Sequence, residues 1–546
     1  MKQAGRIFRQ ALLLTAVTLL TRTAGVSFSV YISAKVGAEA MGLYSLLSGV
    51  FTFALTLATS GIYLGTTRMV SEALGEEKPG TVRAVMRRCV LFATVFSLTT
   101  AVLLFSFAEP IGCIWLSDAR TVTPLRLLAF SLPLLALSTV FSGYFTAVRR
   151  VTKNTAAQVF DDALRIGGTC FLLFSMSGGG VEAACLSLVL GGVIADLGAF
   201  LVNFILYLPD RRKHFPPDAP APGQKIAGKL LGITLPVAFS AYIRSGLVTL
   251  EHILIPSGLT HFGATRAEAL AAYGTIHSMV LPVVLFPAAL ISCFSGLLVP
   301  EMSEARVRGE KRHKGYIISR VFTFSMLFSV GVAGVLACFA GEIGGLLYPG
   351  TGAARYIRIL APLIPVMYVD TAVDALLKGM GEEVFCMNVN IADALISVIL
   401  VWVLIPRCGI SGYLITIFVS ECFNTSLSLA RLMKKGGFFP SFGKNLLKPA
   451  LSVLAASFVV RFLFTRLPAG GNAVVSAVLH VAVTALLYCA LLRLTGAVSG
   501  EETHWIWTVL YEGGKIHPRK EPPAQIRQNP GRSDSWHTTN DRGGIQ

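Results

Sequence analysis

Apolar runs of twenty residues and more recur along the whole chain, separated by short polar breaks. They lie near 10–34, 42–66, 89–108, 122–148, 155–176, 182–208, 230–254, 270–299, 317–340, 356–377, 384–405, 410–432, 447–465 and 473–495. A bilayer core of roughly 30 Å needs about 20 apolar residues per helix, whereas a membrane β-strand needs about 10 in alternation. The runs are long and do not alternate. They predict an all-α polytopic membrane protein with about fourteen transmembrane helices, arranged as two six-helix lobes plus a C-terminal pair.

The polar breaks set the domain plan. The stretch Pro209 to Gly223, rich in Pro and Arg, is the only long polar interruption between runs and reads as a lobe boundary. The expected units are an N-terminal lobe at 1–208, a linker at 209–229, a C-terminal lobe at 230–433, an extra helix pair at 434–495 and a tail at 496–546. Beyond Pro518 the tail is dominated by Pro, Arg, Gly, Asn and Ser, a composition that predicts disorder. Trp505, Trp507 and Tyr511 before it suit an interfacial turn. Basic residues fill alternate loops: Arg83, Arg87 and Arg88; Arg149, Arg150 and Lys153; Arg211 to Lys213; Arg306 to Lys314; Lys434 to Lys448. That alternation places both termini in the cytoplasm. Lys2, Arg6 and Arg9 precede the first run as in a signal peptide, but no small-residue cleavage site follows, so the run reads as an uncleaved first helix.

Several short stretches return at one fixed offset. Leu125 to Pro133 resembles Ile357 to Pro365, Ser71-Glu72-Ala73 recurs as Ser303-Glu304-Ala305, and Gln158 to Asp161 recurs as Asn390 to Asp393, each 232 positions later. Gly42 falls on Gly274 at the same offset. A duplicated unit in an apolar chain points to a two-lobed transporter with its site between the lobes. Six helices per lobe is an even number, so the lobes enter the membrane in the same sense and their pseudo-twofold axis lies along the membrane normal. Pro133 and Pro365 are duplicates inside helices, and both lobes are expected to bend there.

Composition narrows the class further. The 546 residues are 53% hydrophobic and 14% charged, with mean hydropathy +0.66, against about 25% charged in soluble domains. The net charge of +17 would suggest nucleic acid in a soluble protein; here it is the positive-inside signal, and no nucleic-acid partner is expected. The ten Cys are scattered without a C-x-x-C pair, so neither a zinc site nor a disulfide framework is indicated.

Ionisable groups inside spans are costly and tend to face the bundle interior. Arg22 and Arg244 lie about 20 Å along the first helix of each lobe. Two such cations suit an anionic group held between lobes, and a guanidinium binds phosphate oxygens in pairs; the alternative is that each caps carbonyls or pairs locally. Arg68 is a further cation for the same group, or pairs with Glu72 at i, i+4. Glu72 and its duplicate Glu304 are candidates for a gate at the cytoplasmic face, or for simple helix-end pairs. Asp161 and Asp393 are duplicates; Asp161 has Arg165 four residues on, and Asp393 has no such neighbour. Asp196, Asp370, Asp374 and Glu421 also lie within spans, and any of these carboxylates is a candidate for a coupling ion, H+ or Na+. His277 titrates near neutral pH in the ordinary case and is a candidate substrate contact, or a structural histidine. No G-x-x-x-x-G-K-[ST] loop and no nucleophile or metal constellation is present, and no other cofactor or enzymatic activity is expected.

A family resemblance rests on Thr21-Arg22-x-x-Gly25, Met41 to Tyr44, Ser60-Gly61-Ile62 through Arg68-x-x-Ser71-Glu72-Ala73, Tyr273-Gly274, and Phe286-Pro287 through Val299-Pro300-Glu301-Met302-Ser303-Glu304-Ala305. Together these resemble the polysaccharide-transport branch of the multidrug/oligosaccharidyl-lipid/polysaccharide flippase superfamily, in particular its stage V sporulation protein B and lipid II flippase-like group, over about residues 5–495. The resemblance implies a bacterial plasma-membrane protein that flips polyprenyl-pyrophosphate-linked saccharides through a central cationic cavity, with membrane lipids and cell-wall synthesis enzymes as partners. It places Arg22 on the first-helix Arg of that group. A second Arg of the group is replaced by Phe28, and where its eighth helix carries an Arg, only His277 stands nearby. The same superfamily holds cation-coupled drug exporters, for which the acidic residues would matter instead; a non-transporting scaffold in a cell-wall complex is the third reading.

Overall fold

The computed structural model describes residues 2–498 except 60, 76–78, 177–178, 215–225, 293–301, 304, 307, 438–442 and 467–472. All regular structure among them is helical. The principal helices are α1 (Lys2–Thr59), α2 (Ile62–Gly75), α3 (Pro79–Ser106), α4 (Val122–Ala147), α5 (Val151–Ser175), α6 (Gly180–His214), α7 (Ile226–Phe262), α8 (Arg266–Gly274), α9 (Leu281–Leu285), α10 (Lys311–Cys338), α11 (Ala353–Leu360), α12 (Ile364–Gly379), α13 (Glu383–Cys408), α14 (Ile410–Gly436), α15 (Lys448–Arg466) and α16 (Ala473–Leu494).

Eleven described helical stretches are long and apolar enough to cross a membrane. The first, Leu20–Gly75, covers 56 residues, about 84 Å at 1.5 Å per residue and far more than one bilayer. It is broken at Gly37, whose φ of 81° and ψ of 171° leave the helical region; glycine reaches such torsions without the penalty a β-carbon brings. The expected first and second spans therefore meet at one residue. The expected spans at 155–176 and 230–254 are helical, as α5 and α7, but are not among the eleven, so fourteen stands as the sequence's expectation. Exposed Leu91, Val95, Leu98, Val102 and Phe105 form a stripe along one face of α3, the pattern of a helix whose outer side meets lipid.

The duplication is visible in the backbone. Helices α3 and α10 start and stop 232 positions apart, as do the end of α4 against that of α12 and the start of α5 against that of α13. The turn after α4 is closed by Val148 N–H to Tyr144, Arg149 to Thr146 and Arg150 to Phe145 at 3.0, 3.1 and 2.8 Å. The turn after α12 is closed by Met380 to Leu376, Gly381 to Lys378 and Glu382 to Leu377 at 2.9, 2.9 and 3.0 Å. Both turns pass through the left-handed region at their middle residue, Arg149 with φ 58° and Gly381 with φ 75°.

The helix break at the duplicated proline is not shared. Pro133 sits inside a continuous α4, whereas the second repeat breaks into α11, a 3-10 turn Ala361–Leu363, and α12 with Pro365 at its first turn. Pro362, where the first repeat has Phe130, adds a second missing donor. The polar break between repeats is also shorter than expected: α6 continues through Pro209 to His214 and α7 begins at Ile226.

One buried apolar core, including Ile32, Leu43, Leu47, Tyr273, Ile276, Met279, Ile357 and Tyr368, runs through both repeats. Within a bilayer its cohesion comes from close packing, because lipid tails solvate apolar side chains as well as the core does.

Candidate functional site between the repeats

The repeats meet where α1 crosses α8. A β-carbon on Gly42 would overlap the Leu270 carbonyl, and one on Gly274 would overlap the Ala38 carbonyl and the Gly42 backbone. The duplicated glycines thus pack backbone on backbone, an approach only glycine allows. Beside them the Ser45 and Ser278 hydroxyls hydrogen-bond to each other. Further toward that end, Arg266 donates to the Leu116 carbonyl, and Arg120 bridges Asp118 at 2.7 Å and Glu39 at 3.0 Å. Burial pushes the Asp118 carboxyl up, but the Arg120 hydrogen bonds and charge outweigh it and hold it below the usual range.

Inward from this crossing lies a cavity of about 320 Å³, lined from α1 by residues such as Ser48 and Thr52, from α7 by Ser245, Thr249 and His252, and from α8's continuation by His277. Local structure explains its polar wall. A capping box, in which Thr265 accepts from Glu268 N–H and Glu268 accepts from Thr265 N–H at 3.3 and 2.9 Å, starts α8 firmly. The helix then widens into a π-turn, Thr275–Val280, before α9, a distortion common at functional sites. Pro282 has no N–H for the Ser278 carbonyl, and the Ser29 hydroxyl donates to that carbonyl instead, at 3.3 Å. His277 sits in the π-turn, stacked on Tyr273 with ring centroids 5.2 Å apart. Tyr273 Oη lies 2.8 Å from Nδ1 of His252, and the two imidazoles meet edge to face at 4.6 Å. The His252 ring packs against Gly49 and would lie 3.4 Å from an added β-carbon. Thr249 donates to the Gly49 carbonyl at 3.0 Å and Ser245 to Thr56 at 3.1 Å, tying α7 to α1 along the cavity.

The other candidates are distributed around it. Arg244 is exposed, adjoins the cavity-lining Ser245 and lies within electrostatic reach of Asp393. Arg22 is exposed on the first segment of α1 and, like Arg244, makes no hydrogen bond or ion pair with a described residue. Neither lines the cavity. Arg68 lies on α2, beyond the end of α1, and pairs with Glu72 at 3.1 Å. Glu72 also binds Lys229 of α7 at 2.8 Å, a contact between repeats. Its duplicate Glu304 lies outside the described residues. In the first repeat Arg165 holds both Asp161, at 3.2 Å, and Asp196, at 2.8 Å. Tyr44, on the cavity wall, is within electrostatic reach of that group.

In the second repeat Asp393 accepts from Ser420 at 2.7 Å and Asp374 pairs with Lys378 at 3.0 Å. Asp370 has a buried oxygen without a hydrogen bond among the described residues. Asp393 lies within electrostatic reach of Glu251, Asp370 and Glu421, and Asp370 within reach of Asp374 and Glu421. Among the described residues no three His, Cys, Asp or Glu side chains stand close enough to hold a metal. Glu251 and His252 escape a reading by spacing, yet two adjacent ionisable residues inside an apolar run were a signal in themselves.

Comparison with known proteins agrees with this architecture. Residues 7–260 match the family model described as polysaccharide biosynthesis protein. Stage V sporulation protein B of Bacillus subtilis (strain 168) is 25% identical over 431 residues, covering 78% of this chain and 83% of that protein. Lipid II flippase MurJ of the same organism is 20% identical over 431 residues, covering 73% and 77%. A solved structure titled lipid II flippase MurJ, inward closed conformation, superposes with a TM-score of 0.65 at 12% identity, covering 89% of this chain and 98% of that one. Residues 7–260 are thus similar to polysaccharide biosynthesis proteins, and the chain shares the fold of the lipid II flippase structure. That fold agrees with a multi-pass membrane protein. Among the described residues, the wall of the cavity between the duplicated helices carries hydroxyls and imidazoles but no Lys or Arg.

Proposed function

We propose that this protein is a flippase that moves an undecaprenyl-pyrophosphate-linked saccharide, a peptidoglycan precursor or a related wall polysaccharide unit, across the bacterial plasma membrane. The observation that carries the reading is the polar cavity enclosed by the helices that open each repeat, with two uncommitted arginines, Arg22 and Arg244, on those same helices. The saccharide enters between the repeats, the arginines neutralise the pyrophosphate, and the polyprenyl tail stays in lipid. The basic loops and both termini face the cytoplasm. Rocking of the repeats opens the Gly42–Gly274 crossing and the Glu72–Lys229 contact in turn. Asp393, Asp374 and their acidic neighbours take the coupling ion, H+ or Na+, while Asp161 and Asp196 remain tied to Arg165. The sporulation protein among the relatives supports spore cortex synthesis as the setting, with wall synthesis enzymes receiving the flipped lipid.

The test is flipping in proteoliposomes. Fluorescent undecaprenyl-pyrophosphate disaccharide-peptide is loaded in one leaflet, an ion gradient is imposed, and exposure to an impermeant quencher is followed. Protein-dependent exposure that Arg22→Ala abolishes is the expected result. Exposure no greater than in empty vesicles, from folded protein, overturns the reading; loss of transport in Asp374→Asn but not Arg22→Ala would point to cation-coupled export instead.

A further inference from the structure

The cavity wall makes a finer distinction than the flippase reading on which this inference rests. Among the described residues no Asp, Glu, Lys or Arg lines it; its polar groups are Ser and Thr hydroxyls and the imidazoles of His252 and His277. A pyrophosphate placed there would lose water without meeting a cation, and an organic cation would meet no carboxylate; both are costly transfers. Hydroxyls and neutral imidazoles each donate and accept, as sugar hydroxyls do, so a polyhydroxylated ring finds partners in either sense. Ligand pockets span roughly 300–1,000 Å³, and about 320 Å³ lies at the bottom of that range. That is room for one sugar ring.

His277 supplies the second observation. Its Nδ1 is buried and has no hydrogen-bond partner among the described residues, while the ring is held in place by stacking on Tyr273. A buried polar atom without a partner is expensive, and this one belongs to a residue on the cavity wall. His252, in contrast, is fixed through Nδ1 by Tyr273, which leaves its other ring nitrogen as its remaining hydrogen-bonding group. Tyr44 adds an aromatic wall, a flat surface for the C–H face of a ring.

We propose that this cavity is a subsite for a single uncharged sugar ring of the lipid-linked saccharide, with His277 and the α1 and α7 hydroxyls as its hydrogen-bonding groups, and that the pyrophosphate lies outside it.

The experiment uses the full chain in nanodiscs and two probes, undecaprenyl pyrophosphate and the same lipid bearing one N-acetylhexosamine. Wild type is expected to bind the glycosylated lipid at least about tenfold more tightly, the factor that 1.4 kcal/mol makes. His277→Phe and the near-isosteric Thr52→Val are each expected to cut that preference severalfold while leaving the affinity for the bare lipid unchanged. Thr52 is exposed and donates only within its own helix, so its variant tests the idea even if His277→Phe unfolds. Equal affinities of wild type for the two lipids, a preference intact in both folded variants, or parallel loss of both affinities would each overturn the subsite and leave the flippase reading standing. Binding of neither lipid by wild type would remove both.

Discussion

The two repeats share a backbone and differ in charge. After α4 and after α12 the chain makes the same turn with the same three hydrogen bonds. Yet the equivalent residues are Arg150 in the first repeat and Glu382 in the second. Arg150 and Lys153 hold buried Asp210 of α6, with Tyr144 donating to it at 2.8 Å. Glu382 is held by Arg431 and Lys435 of α14 at 2.6 and 3.1 Å. The latch is conserved in form and reversed in polarity, so the turn, not the sign of its charges, is what the duplication keeps. Inside the membrane the difference is larger. Arg165, which pairs with Asp161 and Asp196, corresponds to Ser397, and Asp196 corresponds to Ser428. The first repeat thus holds both carboxylates on one arginine. The second keeps Asp393 and gathers Glu251, Asp370 and Glu421 around it without an equivalent of Arg165.

The strongest way to break this comparison is to remove the neutralising charge. Arg165→Met leaves Asp161 and Asp196 without their partner, and breaking a buried pair costs about 3 kcal/mol. The thermal unfolding midpoint in detergent should fall by several degrees, and Asp161→Asn with Asp196→Asn should restore most of it; an unchanged midpoint would mean that the group is hydrated and not structural.

A smaller effect tests the shared turn. Arg149 pays the left-handed cost of about 1–2 kcal/mol, part of which Arg149→Gly recovers against its looser unfolded chain, for a gain of about 0.5 kcal/mol. Gly381→Ala should lose about 1 kcal/mol on the same grounds, and its β-carbon would also press on the Arg306 guanidinium. Changes of the same sign in both would show that the two turns are not equivalent in solution.

The smallest effect is a pH dependence. Hydrogen bonds from Arg431 and Lys435 hold the Glu382 carboxyl below the usual carboxylate range. Its contribution is therefore complete above the unfolded value of about 4.3 and fades as pH falls through the lower folded value. Wild type should lose stability more steeply than Glu382→Gln in this acidic window, and less so in high salt. Parallel acid profiles of the two proteins would remove the latch from the comparison.

The helical membrane architecture and the duplication were legible in the sequence because both are linear signals: run length and a fixed offset. The i, i+4 pairs Arg68–Glu72 and Arg165–Asp161 were legible for the same reason. Asp196 on Arg165 was not, since the two are 31 residues apart and only the packing of α5 on α6 brings them together. Gly42 and Gly274 were visible as duplicates, but their contact depends on how two helices cross. His252 stayed hidden because its role comes from Tyr273 and Gly49 on other segments. The break at 361–363 needed Pro362 and Pro365 to be read together, not Pro365 as an echo of Pro133.

The single non-helical residue at Gly37 has a mechanical consequence. Arg22 lies fifteen residues before it, about 22 Å along a stiff rod. With one residue as pivot, a swing of about 10° displaces that guanidinium by about 4 Å, roughly the reach of an ion pair. The second segment of α1, pinned to α8 at Gly42, need not move for this to happen. The first membrane segment is then a lever, and the torsions of one glycine set how far its charge stands from the stationary wall of Ser48 and Thr52.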